Sequence, residues 1–350
     1  MNLHTNTADF TALITFTAKH FNLIPAFVEK DYWITLALNR LFHSENVENA
    51  VFKGGTSLSK AYRIINRFSE DIDIAMINEN LSGNALKTKI RNIEKEITTG
   101  LTEIVEDGLT SKGSMFRKSI FEYPTLLGKM DSIIPNRMIV EINSFANPYP
   151  NVKQKITSFI TEYLVANNQI KTIEEYGLQP FSLNILDKRR TMIEKLVSLF
   201  RFSFSENPRR ALSAKIRHFY DLYYLAKDKE CAEYLQTSNF KQDFAELLAH
   251  DRQSFDTPEK WAEKEITQSP LVTDFPDLWN SLKEIYLVEL PQLAFVPIPD
   301  EKEIAEIFTQ LVGQLIKTTK FNMYQFEIQK DNEDCLHITG GLAQAGQWLA

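Results

Sequence analysis

The stretch that most restricts the fold is SEDIDIAM, Ser69 to Met76, where acidic and apolar side chains alternate. Successive side chains of a β-strand point to opposite faces, so Asp71 and Asp73 share one face while Ile72 and Ile74 share the other, apolar one. That pattern predicts a half-buried strand with two carboxylates on its polar side. Two like charges held this close repel unless a cation sits between them. A hard ion such as Mg²⁺, which takes one or two carboxylates together with substrate phosphates, suits the pair. A strand face with its carboxylates in water is the plainer reading of a lone D-x-D.

The surroundings sharpen the choice. Upstream, Val51 and Phe52 lead into KGGTSLSK, Lys53 to Lys60, an apolar step that breaks at Gly54 and Gly55 and then takes up helical spacing from Thr56 to Ile65. Paired glycines remove the side chains that would hold a backbone away from a phosphate, Ser57 offers a hydroxyl, and a helix starting here would aim its first amides at a ligand. A glycine turn opening a helix, followed on the next strand by paired acids, is the arrangement that nucleotide transfer needs: one element holds a triphosphate and the other its metal. A second strand is expected from Arg137 to Phe145, with Ile139, Glu141 and Asn143 on one face. Glu141 is thereby a candidate third carboxylate, either a metal ligand or a proton acceptor; a strand-surface glutamate is the alternative.

FVEKDYWITLALNRLF, Phe27 to Phe42, reads as an amphipathic helix. Charged helical pieces and a Gly, Ser and Lys rich loop near Ser111 to Ser114 separate the two strands. After Pro148 and Pro150 the pattern is helical to about Lys320, with breaks at Pro180, Pro208 and Pro270 and from Pro291 to Asp300. A domain boundary is expected near residue 150, a helical domain over 151–325, and a partly ordered tail over 326–350. In TMIEKLVSLFRF, from Thr191, Glu194, Lys195 and Arg201 interrupt an apolar helix; Lys195 either offsets triphosphate charge or snorkels past a core face. In RHFYDLYYLA, Arg217 to Ala226, Asp221 lies among aromatic and aliphatic side chains, where a carboxylate is costly to bury unpaired. Arg217, four residues earlier on the same face, is the nearest candidate partner. Asp221 either staples helix to core or orients Lys195.

Composition excludes the non-globular classes: 350 residues, 43% hydrophobic and 24% charged, with 12 Gly and 13 Pro. The formal net charge of −7 would discourage a polyanion if it were evenly spread, but it is not. Asp187 to Arg217 holds nine Lys or Arg against three acids, and Asp228 to Glu306 holds seven against eighteen, so a nucleic acid would be steered to the middle of the chain. Cys231 and Cys335 form no Cys-x-x-Cys pair, and no stretch approaches the ~18 apolar residues of a membrane span. A cytoplasmic protein with no membrane partner is expected. The phosphate-loop, H-E-x-x-H and G-x-S-x-G signatures are absent.

VEKDYW (Val28 to Trp33), KGGTSLSK, RFSEDIDIA (Arg67 to Ala75), TMIEKL (Thr191 to Leu196) and RHFYDLYYL (Arg217 to Leu225) together resemble the AbiEii/AbiGii family of nucleotidyltransferase-like toxins. The likeness runs over roughly residues 20 to 310. It implies an α+β chain: a polymerase-beta-like nucleotidyltransferase fold with a small mixed sheet, followed by a helical C-terminal domain. It also implies the toxin of a two-gene toxin–antitoxin system tied to abortive phage defence, with some relatives acting on the 3′ end of tRNA and blocking translation. Carried to this chain, it implies Asp71 and Asp73 as metal ligands. Lys53, Gly54, Gly55, Thr56 and Ser57 fall to the nucleotide with Glu194 and Lys195, and Asp221 is an essential acid. His218 stands where many relatives carry an acid. The expected reaction moves a nucleoside monophosphate from a nucleoside triphosphate, with Mg²⁺, to an RNA end and releases pyrophosphate. Modification of a protein hydroxyl, or a non-catalytic nucleotide- or RNA-binding module, are the alternatives.

Overall fold

The structure is a computed structural model that describes residues 1–77, 83–106, 108–113, 115–126 and 134–331, with side chains to residue 316. The strands are β1 (Ala50–Lys53), β2 (Asp71–Met76), β3 (Thr102–Ile104), β4 (Ser111–Lys112), β5 (Phe116–Glu122), β6 (Arg137–Asn143), β7 (Asn151–Ile156) and β8 (Phe181–Leu186). They form one mixed sheet in the order β3-β5-β6-β2-β1-β8-β7, with β4 alongside β5. The β2–β6 and β1–β8 pairs are parallel and the others antiparallel.

Six helices accompany the sheet: α1 (Thr7–Phe21), α2 (Pro25–Phe42), α3 (Gly54–Lys60), α4 (Gly83–Ile97), α5 (Phe159–Ala166) and α6 (Ile170–Glu175). The rest of the described chain is helical. It comprises α7 (Lys188–Ser203), α8 (Pro208–Ser213), α9 (Ile216–Lys227), α10 (Lys229–Tyr234), α11 (Ser238–Ser254), α12 (Pro270–Thr273), α13 (Phe275–Leu293) and α14 (Glu301–Asp331). The α+β class is as expected, with no helix among the described residues long and apolar enough to cross a membrane.

Several local expectations change. The helical pattern expected after Pro150 is interrupted by two strands, β7 at its start and β8 after α5 and α6, so the sheet runs through the boundary expected near residue 150 and the all-helical remainder starts at α7. β7, NVKQKI, is a polar edge strand with one buried residue, and an edge strand of that kind offers no apolar alternation to detect. The interval between β2 and β6 holds β3, β4 and β5 as well as helix α4. Ser114 and the tail beyond residue 331 lie outside the described residues. Helix α2 is not a surface helix: from Phe27 to Leu41 every residue but Arg40 is buried. Its charges survive burial by pairing, Lys30 with Glu70 at 2.6 Å and Asp31 with Lys60.

Two cores meet at the glycine bend. One lies against the sheet and includes Ile72, Ile74, Val140 and Ile142, the apolar halves of the two alternating strands. The other fills the helical part around Phe200, Phe219 and Phe308, and takes in Leu58 of α3 and Ile65. Backbone hydrogen bonds from Phe68 N to Leu293 O (2.7 Å) and from Phe295 N to Asn66 O (2.8 Å) tie the end of α13 to the segment leading into β2. The site residues sit between these two bodies.

Candidate active site

Register places four charged residues in one row. Lys118 of β5 lies opposite Glu141 of β6, Glu141 opposite Asp73 of β2, and Asp73 opposite Lys53 of β1. Residues opposite one another in a sheet project from the same face, so the row carries two acids between two lysines, with Asp71 two residues along on the same side. The outer cations are committed: Lys118 Nζ is 2.6 Å from Glu141 Oε1, and Lys53 Nζ is 2.7 Å from Glu194 Oε1 on α7. Glu70 is held by Lys30. Among the described residues, neither Asp71 nor Asp73 has an ion-pair partner, and Asp71 Oδ1 is buried without a hydrogen bond.

Electrostatics record the same deficit. Burial raises the pKa of Asp71, and Glu70 and Glu141 add to the rise. Burial raises Asp73 as well, with Glu141 and Asp71 the next contributors. Two half-buried carboxylates that resist ionising for want of a direct counter-charge fit a divalent cation. The donor set is a pair: among the described residues no three His, Cys, Asp or Glu side chains form a ready-made metal cluster. Glu141 stands beside the pair but is engaged by Lys118. Because folded-state protons must leave before a metal enters, Mg²⁺ affinity should rise from pH 6 to pH 8. Calorimetric titration at the two values, with release of protons at the lower one, checks this.

The bend fits closely against these acids. Gly54 has φ +78°, and a Cβ built there would lie 2.0 Å from Asp73 Oδ2. At Gly55 a Cβ would lie 2.8 Å from both Arg67 Nη2 and Ser69 Oγ. Thr56 and Ser57 are buried, and their hydroxyls are used within the bend: Thr56 donates to Asp71 O at 2.5 Å and Ser57 to Gly54 O at 2.9 Å. The Ser57 hydroxyl that the sequence offers to a phosphate therefore closes the turn, leaving the bare glycine backbone as the approachable surface. Gly54→Ala should cost about 1 to 3 kcal/mol through its backbone conformation alone and push Asp73 aside. A lower melting temperature together with weaker Mg²⁺ binding is the expected result.

Behind the bend, the partner expected for Asp221 is corrected. Arg217 does not meet it; Arg67 does, with Nε 2.7 Å from Oδ1 and Nη2 2.8 Å from Oδ2, while Lys195 Nζ lies 2.7 Å from Oδ2. Arg217 instead borders a cavity of about 310 Å³ with Glu70 and Phe68. An intrahelical i, i+4 partner was the nearest in sequence, but a fully buried carboxylate needs more than one cation, and a bidentate guanidinium with an ammonium satisfies it better. Burial alone would raise the Asp221 pKa; Arg67 and Lys195 more than reverse this and hold it well below the usual carboxylate range. Burial, with Lys195 and Lys215 nearby, keeps His218 neutral.

Sequence reasoning missed three cations. Arg67 lies inside the quoted RFSEDIDIA stretch, but nothing local marks it as a partner of a residue 154 positions on. Lys118 belongs to an unrecognised strand. Lys215, whose pKa burial lowers, with Arg201 adding to the fall, has no carboxylate in ion-pair range among the described residues. The basic run from Lys188 to Arg217 is neutralised in part within the fold, four of its nine cations having a carboxylate partner among the described residues, Lys195 with Asp221 among them. Lys188 pairs with Asp228 (2.8 Å), Arg189 with Asp187 (2.7 Å) and Arg201 with Asp251 (3.4 Å); of the five others, Arg209 and Arg210 are exposed and Arg190, Lys215 and Arg217 half-buried.

Paired strand carboxylates against a glycine bend, on a mixed sheet closed by a helical half, are the marks of a nucleotidyltransferase, and that is the class of this protein. It belongs to the AbiEii family: the family described as "Nucleotidyl transferase AbiEii toxin, Type IV TA system" matches residues 36–311. No curated protein matches the chain. Among solved structures it is similar to MenT4, a nucleotidyltransferase toxin from Mycobacterium tuberculosis H37Rv, at 14% identity, with 78% of this chain and 98% of that chain covered and a TM-score of 0.36. That likeness is too loose to bear on the site.

Proposed function

We propose that the protein moves a nucleoside monophosphate from a nucleoside triphosphate onto the 3′ end of an RNA, tRNA foremost, and so stops translation until a cognate antitoxin opposes it. The observation that carries the reading is the Asp71–Asp73 pair, uncompensated and set against Gly54. Family membership supports the toxin role, and the resemblance to tRNA-modifying relatives supports the acceptor, phage defence and action in the cytoplasm.

Asp71 and Asp73 would hold Mg²⁺, with Glu141 beside them, and the bound ion would offset charge on the phosphoryl and leaving oxygens. The glycine backbone of Gly54 and Gly55 admits the triphosphate. Lys53 and Lys195, held by Glu194 and Asp221 at 2.7 Å each, would offset its charge. The acceptor hydroxyl attacks the α-phosphorus; the new P–O bond forms as the bond to the β-phosphate oxygen breaks, and pyrophosphate leaves. Glu141, held by Lys118 at 2.6 Å, would take the hydroxyl proton. Arg217, on the Glu70 side of the carboxylates, and the exposed Arg209 and Arg210 would receive the acceptor backbone.

Purified protein incubated with total cellular RNA, Mg²⁺ and each labelled triphosphate in turn should place label on small RNA 3′ ends and release an equal amount of pyrophosphate. Label in the protein fraction would replace the RNA acceptor with a side-chain hydroxyl. Nucleotide binding without pyrophosphate would leave a binding module and reject the transfer.

A further inference from the structure

One helical turn along α7 from Glu194, a cavity of about 150 Å³ opens between the loop that follows β6 and helices α7 and α11. Lys53 and Glu194 line it together with Phe145, Arg201, Asp251 and Phe255. The interior walls are flat. The Arg201 guanidinium lies over the Phe255 ring at 4.0 Å, and the Phe145 and Phe255 rings meet edge to face at 5.5 Å.

The polar groups in this slot are under-satisfied. Arg201 Nε is buried with no hydrogen-bond partner, and the contact of Nη1 with Asp251 Oδ2, at 3.4 Å, is at the long limit of a hydrogen bond. Burial lowers the pKa of Arg201 and raises that of Asp251, so each is ionised at a cost that their loose pair only partly offsets. A pair evolved solely as a staple would close to a short bidentate contact, as Arg67 and Asp221 do. Among the described residues Asp251 Oδ1 has only His250 Nδ1, at 3.5 Å, beside it, so an unfilled donor and a carboxylate held by two long contacts between flat walls match the edge of a planar, polar ring.

Location links the slot to the site. Lys53 lines the cavity and immediately precedes Gly54, so the cavity adjoins the bend over which the phosphates would lie.

We propose that this cavity takes the base of the donor nucleotide, its ring in the slot walled by Phe145, Phe255 and Arg201, and its edge bonded to Asp251 and to Arg201 Nε. The inference rests on the nucleotidyl-transfer reading and adds what selects the nucleotide.

The test uses the full-length protein with Mg²⁺, the four ribonucleoside triphosphates and inorganic tripolyphosphate as the baseless probe, with affinities measured by calorimetry. Wild type is expected to favour one base or one base class and to bind it more tightly than tripolyphosphate. Asp251→Asn, Phe255→Leu and Arg201→Met should each weaken the favoured triphosphate by about tenfold or more and flatten the preference among the four. Tripolyphosphate should bind each variant as it binds wild type. Should Arg201→Met fail to fold, the two milder variants decide. Wild-type selectivity retained in folded Asp251→Asn and Phe255→Leu overturns the proposal, as does a wild type that binds triphosphates without preference. A wild type that binds no nucleoside triphosphate at all removes the transfer reading itself.

Discussion

Asp73→Asn should leave a folded protein that has lost nucleotide transfer by at least about a thousandfold, since stabilisation by a bound metal ion contributes several kcal/mol at about 1.4 kcal/mol per factor of ten. The substitution keeps shape and removes one charge from a pair that has no direct ion-pair partner among the described residues. It has a second, opposite consequence for stability. A carboxyl whose folded pKa is raised holds its proton in the native state at pH values where the unfolded chain has released it. Folding is therefore disfavoured progressively as pH rises from the ordinary carboxylate range through the raised value. Asparagine carries no such dependence. Without divalent metal at pH 8, the variant should melt a few degrees above wild type, a gain of about 1 to 2 kcal/mol after allowance for the partial exposure of Asp73. Saturating Mg²⁺ should reverse the order by stabilising wild type alone. Label incorporation by Asp73→Asn at the wild-type rate would remove the two-carboxylate mechanism.

Asp221→Ala should give the largest loss of stability in the molecule, about 3 to 5 kcal/mol, because it strands two buried cations. The side chains of Asp221, Arg67 and Lys195 are 0%, 3% and 7% exposed, so water cannot replace the missing carboxylate. A melting temperature lower by about 10 °C is expected. Since the folded pKa of Asp221 is depressed, its contribution is present in full above the ordinary carboxylate value, about 4, and drains away as the pH falls below it. Wild type should therefore lose stability from about pH 4 downward more steeply than Asp221→Ala. The triple change Asp221→Leu, Arg67→Met and Lys195→Met should recover much of the loss, as well-packed apolar groups often replace a buried ionic cluster at little cost. Transfer activity should not recover with it, because Lys195 is gone and the wall behind Gly55 has changed. An active, fully stable triple variant would reduce this cluster to a staple.

The arrangement puts order between the two predictions. Arg67 reaches under Gly55 while holding Asp221, and Asp221 in turn holds Lys195 toward the carboxylates. Asp73 thus packs against the first glycine of the bend and the cation cluster against the second.

What could be read along the chain was whatever depends on neighbours in sequence. A period of two placed Asp71 and Asp73 together and Glu141 on the polar side of its own strand; a pair of glycines after an apolar step marked the bend. Strand geometry imposes such features wherever the strand later pairs. The tertiary structure alone decided which strands lie side by side, and so that Lys118, Glu141, Asp73 and Lys53 form one row. It also decided that β5, β7 and β8 exist at all, since an edge strand as polar as NVKQKI carries no apolar period and forms only because β8 offers it a ladder. The partner of Asp221 was beyond sequence reasoning for the same reason. A carboxylate with no solvent is satisfied by whichever cations the packing delivers, and here they come from a loop before β2 and from another helix, whereas the intrahelical spacing to Arg217 carries weight only while water is present.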